Sequence, residues 1–137
     1  MSLVLDASMA IAWLFEDERT PAADAVLVRV TTTGANVPSL WRLEIASVLR
    51  NAVRRGRCDV GFVDRSIDRL RRLAITVDGE TDNHAWGETT ALARQYDLTP
   101  YDAAYLELAL RLRQPLASCD EDLTAAAERC GVATMPA

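Results

Sequence analysis

The sequence predicts an α/β fold in three layers, with a central, mainly parallel sheet of four to five strands flanked by helices. Two observations predict it. Short apolar runs alternate with longer stretches of helical periodicity along all 137 residues. No repeat, low-complexity tract or linker interrupts that alternation, so residues 1–137 read as a single domain, large enough to bury one core.

The elements follow in order. A first strand covers about residues 2–6, around Leu3-Val4-Leu5. Ser8 then caps a helix carrying Ile11, Ala12, Trp13, Leu14 and Phe15, closed by the acids at 16–18. A second helix follows Pro21 through Ala22–Val30, up to the polar stretch Thr31-Thr32-Thr33-Gly34. Asn36-Val37-Pro38 is a short strand, and Ser39 caps a long helix to about Arg55, with Gly56 as its stop signal. A helix over about 59–73 leads into a third strand, Ala74-Ile75-Thr76-Val77. Asn83 to Gln95 is helical. Thr99 caps the next helix, with Pro100 at its favoured first position, and it runs to about Arg113. Leu116–Ser118 is the fourth strand, Leu123–Cys130 a helix, and Ala133-Thr134-Met135 an edge strand. Trp13, Trp41 and Trp86 are expected in the core.

Composition narrows the function. The net charge of −5, taken alone, argues against nucleic-acid binding, but a metal would neutralise several acids and the positive charge is clustered. The chain has no lysine, its 15 basic residues all being arginine, and this excludes chemistry that needs a catalytic lysine. Its 3 cysteines show no CxxC spacing and, with His84 the single histidine, make no convincing zinc site. His84 reads as a helix-surface residue. No apolar run approaches the ~20 residues of a membrane span, and no basic stretch precedes an apolar one at the N-terminus, so a cytoplasmic protein without membrane contact is expected.

Four acids carry the functional signal. Asp6 ends the first strand, Asp120 follows the fourth, Asp102 opens an apolar helix, and Glu44 interrupts the apolar face of another. Three have a structural explanation as helix caps. Glu44 does not: Leu40 and Val48 lie one turn away on either side, and Trp41, Ile45 and Leu49 form the adjacent stripe. It faces the core or a pocket, and only an arginine could pair with it. Strand carboxyl ends and helix amino ends share one edge of a parallel sheet, where ligands bind. Carboxylates gathered there raise one another's pKa unless a cation neutralises them. A hard divalent cation, and with it phosphate chemistry, is the economical reading.

The segments Leu3-Val4-Leu5-Asp6-Ala7-Ser8, Trp41-Arg42-Leu43-Glu44-Ile45-Ala46-Ser47-Val48-Leu49, Leu98-Thr99-Pro100-Tyr101-Asp102-Ala103-Ala104-Tyr105-Leu106 and Leu116-Ala117-Ser118-Cys119-Asp120-Glu121-Asp122-Leu123 resemble, in that order, the motifs of PIN-domain nucleases. The likeness is particular to the VapC toxins of toxin–antitoxin pairs. It implies a Mg²⁺- or Mn²⁺-dependent endoribonuclease, with Asp6, Glu44, Asp102 and Asp120 as catalytic, metal-holding acids. It further implies Ser8 and Ser118 as supporting hydroxyls, with Asp122 either reaching a second metal or facing solvent.

The reaction would be hydrolysis by activated water, leaving a 5′-phosphate and a 3′-hydroxyl. Also implied are a homodimer and a VapB-like antitoxin that wraps the surface around Trp13, Phe15 and Ala22–Val30, giving a heterotetramer or larger complex. Arg50, Arg54 and Arg57 (i, i+4, i+7) are candidate RNA contacts, and Arg65, Arg69 and Arg72 repeat the spacing. A solvated face paired with Asp59, Asp64 and Asp68 is the competing explanation of both rows.

Rival acidic pockets fit less well. A phosphoacceptor receiver domain needs paired acids after strand one and a lysine; a haloacid-dehalogenase-type phosphatase needs a second Asp where Ser8 stands. A PIN nuclease of RNA processing or DNA repair, and a catalytically idle PIN fold that only binds RNA or protein, stay open.

Overall fold

The computed structural model describes residues 2–136; Met1 and Ala137, which the single-domain reading of residues 1–137 includes, lie outside them. Five strands form one sheet, every pairing in it parallel: β1 (Val4–Leu5), β2 (Ala35–Val37), β3 (Ile75–Val77), β4 (Leu116–Ser118) and β5 (Thr134–Pro136). Their order is β3-β2-β1-β4-β5. Register is fixed at the centre by Val4 opposite Leu116 and Leu5 opposite Ala117. All four of these residues are buried, as expected where helices cover both faces.

Between the strands lie α1 (Ala7–Leu14), α2 (Pro21–Thr33), α3 (Trp41–Arg54), α4 (Val60–Arg71), α5 (Thr81–His84), α6 (Thr90–Tyr96), α7 (Pro100–Leu112) and α8 (Glu121–Arg129). The chain winds from β1 outward to β3, then returns through α7 to β4 on the other side of β1. Right-handed crossovers running in opposite directions along a sheet occupy opposite faces, which gives the three layers. The reversal leaves a crevice at the carboxyl ends of β1 and β4.

Local chemistry explains most boundaries. Thr20 and Thr99 cap α2 and α7, each with proline in the first turn, and Asp59 caps α4. Gly34 ends α2 at φ 72°, and a Cβ there would sit 2.8 Å from the Ala74 carbonyl oxygen, so only glycine lets β2 approach β3. Helix α7 is buried along Ala103–Ala109, which marks it as the central helix. Leu106 and Leu108 there each contribute roughly 1.5–3 kcal/mol by burial.

Several expectations need correction. Ser8 lies inside α1, whose cap position is held by Asp6, and Leu40 rather than Ser39 precedes α3. Ser39 instead donates its backbone N–H to the Thr81 hydroxyl at 3.0 Å. The helix expected over 83–95 starts at Thr81 and breaks into a π-helical turn at Ala85–Thr89. Trp86 rides on that turn and is 96% exposed, whereas Trp13 and Trp41 are core residues. Phe15 is buried as well, its ring against Phe62 of α4, and Trp13 Nε1 donates to the Ala23 carbonyl at 2.8 Å, tying α1 to α2; neither aromatic lines an open surface.

Candidate active site

Asp6 leaves the end of β1, with its backbone N–H donated to the Ala117 carbonyl of β4 at 3.0 Å. That bond sets its side chain in the crevice between the two strands. It occupies the cap position of α1, yet its side chain makes no cap hydrogen bond. The carboxylate instead accepts through Oδ2 from the hydroxyls of Ser8 (2.6 Å) and Ser118 (2.7 Å). Those serines are in turn fixed by backbone: Ser8 Oγ accepts from Cys119 N–H, and Ser118 Oγ from Asp120 N–H. Burial pushes the Asp6 carboxyl above the ordinary aspartate value, the two hydroxyls pull it back, and the charge of Asp120 raises it further.

Asp102 stands in the first turn of α7, half-buried, its N–H donated to the Thr99 hydroxyl at 3.1 Å. Its pKa is raised to about 6, by burial first and then by the charges of Asp120 and Asp6. Asp120 caps α8, accepting from Leu123 N–H at 3.0 Å. The capping explanation therefore holds for Asp120 and fails for Asp6. Asp122, in the first turn of α8, is exposed, and its charge still reaches Asp102.

Glu44 sits at the edge of the α3 core stripe. Trp41, Ile45 and Leu49 are buried as expected, but Val48 is in solvent, so Glu44 lies on the boundary and is half-buried. Its partner is no arginine. The buried Tyr105 hydroxyl on α7 donates to Glu44 Oε1. Burial raises the Glu44 carboxyl, Tyr105 opposes this, and the charges of Asp6 and Asp102 add to it. Tyr105 itself is pushed far above the ordinary phenol value by burial and by Glu44, so it remains a donor. Sequence reasoning passed over Tyr105, although it lies three positions after Asp102 and shares its helix face.

The four acids thus feel one another, and three of them are driven toward their protonated forms. Relief of that excess negative charge by a cation fits the donor set, which is all oxygen and suits Mg²⁺ or Mn²⁺. No three of these carboxylates converge within 4.8 Å; among the described residues that is reached only by His84, Glu88 and Glu107. Mg²⁺ keeps several of its waters, so direct convergence of every carboxylate is not required.

The His84 group is tied differently. Glu107, only 4% exposed on α7, accepts from Arg111, which also grips Asp78 at 2.6 Å. His84, part-exposed at the end of α5, meets the exposed Glu88 at 3.0 Å, in keeping with the helix-surface residue expected. Arg111 makes this a charge clamp joining β3 to α7.

Arg57 is committed elsewhere, paired with Asp17 and Glu18 and stacked 3.8 Å over Phe15. Arg50 and Arg54 are exposed on α3 and make no ion pair among the described residues. Of the acids expected as partners for the two rows, Asp59 is spent capping α4 and Asp68 pairs with Arg71.

Comparison with known proteins bears on the whole chain. A PIN domain family model matches residues 3–129. Ribonuclease VapC3 of Mycobacterium tuberculosis, in strains CDC 1551 / Oshkosh and ATCC 25618 / H37Rv, is 30% identical over 124 residues, covering 90% of this chain and 86% of that protein. The crystal structure of PAE2754 from Pyrobaculum aerophilum superposes with a TM-score of 0.71 at 22% identity, over 98% of this chain and 90% of the other, a likeness of fold. With its parallel sheet ordered about β1 and β4 and acids gathered at their carboxyl ends, the chain belongs to the PIN-domain family, in its VapC-type group.

Proposed function

We propose that residues 1–137 form a single PIN domain acting as a Mg²⁺- or Mn²⁺-dependent endoribonuclease, the toxin of a VapBC-type pair. The observation that carries this reading is the placement of Asp6 after β1, Glu44 on α3 and Asp102 on α7 near enough that each carboxyl is raised partly by a neighbouring acid. Such a set holds a divalent cation better than it holds its own charge.

Asp6, Glu44, Asp102 and Asp120 would hold the cation, and Asp122 stands at the rim. A bound cation supplies Lewis-acid polarisation of phosphate and acidity to water. The chain supplies the rest. Ser8 and Ser118 keep Asp6 aimed, and the buried floor beneath excludes water from that carboxylate. Exposed Arg50 and Arg54 offer the phosphate backbone a positive track along α3 that offsets the net −5 charge.

A VapB-like antitoxin is the expected partner, named by the likeness to ribonuclease VapC3. Homodimerisation has apolar surface to use in Leu43 (76% exposed), Trp86 and Tyr101. No helix among the described residues is long and apolar enough to cross a membrane; a cytoplasmic site of action belongs to the toxin reading itself.

The test is to incubate purified protein with RNA, with and without Mg²⁺, and read the ends of the fragments. Fragments carrying 5′-phosphates that appear with Mg²⁺ and vanish with chelator support the reading. No cleavage with any divalent cation sinks it.

A further inference from the structure

We propose that Tyr105 is a positioning residue for Glu44, fixing the direction of that carboxylate and so the strength with which the acidic site binds a divalent cation. The inference rests on the metal-site reading given above. It starts from an asymmetry among the acids. Asp6 is aimed by two serines, and Asp102 and Asp120 are short side chains set at helix starts. Glu44 has the longest side chain of the four, sits half-exposed on the flank of α3, and ion-pairs with no arginine among the described residues. Left alone it would sample several rotamers, and holding such a side chain in one of them costs conformational entropy.

Tyr105 removes that freedom from below. Its ring is fully buried, so it cannot swing, and its hydroxyl donates to Glu44 Oε1. One hydroxyl therefore ties α3 to α7, the helix that presents Asp102. A donor on one carboxylate oxygen leaves the other free to meet a cation, as outer-sphere partners of metal ligands do.

The experiment is calorimetric titration of Mn²⁺ into the full chain, wild type against Tyr105→Phe, which keeps the ring and deletes the hydroxyl. Mn²⁺ is expected to bind the Phe variant about tenfold more weakly, with the metal-free melting temperature little changed. RNA cleavage should fall at limiting metal and recover at saturating metal. In a Glu44→Ala background the same substitution should leave Mn²⁺ affinity where Glu44→Ala alone put it.

Equal affinity in wild type and Tyr105→Phe overturns the inference. So does an equal weakening with Glu44 absent. A Phe variant that cannot fold also overturns it, because a hydroxyl that only aims one half-exposed carboxylate is not needed by the core. If wild type itself binds no Mn²⁺, the metal-site reading falls, and this inference falls with it.

Discussion

Ser8 and Ser118, 110 positions apart, donate to the same oxygen of Asp6, and their own oxygens lie 3.4 Å from each other. They close the crevice between β1 and β4 by carrying backbone N–H groups of the β4–α8 turn onto a carboxylate that is only 5% exposed. Ser118→Ala deletes a buried donor and strands the Asp120 N–H. It should cost about 1–3 kcal/mol at neutral pH by urea unfolding. A loss smaller than about 0.5 kcal/mol would mean that Asp6 does not depend on that hydroxyl.

Asp102 gives the stability a pH dependence of definite sign. Its pKa is about 6 in the folded chain against the usual 3.8, so the folded state binds the proton more tightly across that window. Stability from this group is present at low pH and is lost as pH rises through about 6. Asp6 and Glu44 are shifted the same way. Asp78 is lowered by Arg111, and its contribution is lost only as pH falls below the ordinary aspartate range. Without metal, Asp102→Asn should therefore melt higher than wild type at pH 7.5, the gap closing toward pH 4. Parallel melting curves across that range would rule the shift out.

Much of this was legible in the sequence because apolar periodicity and capping chemistry are local. All five strands were placed to within a residue or two, and Thr20-Pro21 and Thr99-Pro100 behave as helix starts. Glu44 stood out because no capping role suits it. Its partner did not, since a tyrosine in an apolar helix reads as core, and only tertiary packing brings its hydroxyl to α3. The π-helical turn was equally hidden: Gly87 weakens the helix there, but which side of the turn meets solvent, and with it the exposure of Trp86, is set by tertiary packing. Arg57 matched a phosphate-gripping row by spacing alone, yet the acids at 17 and 18 capture it across a loop.

Trp86 is accordingly expected to contribute nothing to the fold. Trp86→Ala should leave stability within about 0.5 kcal/mol by chemical denaturation of the monomer, at protein concentrations too low for association. A loss above about 2 kcal/mol would show that the side chain is packed in the folded protein.

Arg111 should behave in the opposite way. It bonds both oxygens of the buried Glu107 and both of Asp78. Arg111→Met strands a buried charge and should cost about 3–5 kcal/mol, most of it recovered when Glu107→Leu is added. Failure of the second change to rescue the first would locate the damage elsewhere than in Glu107.

Asp6, Glu44, Asp102 and Asp120 are expected to act as one divalent-cation site. Calorimetric titration of Mn²⁺ at pH 7.5 into wild type, Asp6→Asn and Asp102→Asn tests it most directly. Saturable binding by wild type, weakened by about tenfold or more in each folded variant, is the predicted result. No saturable binding by wild type, or the same affinity in all three proteins, would contradict it.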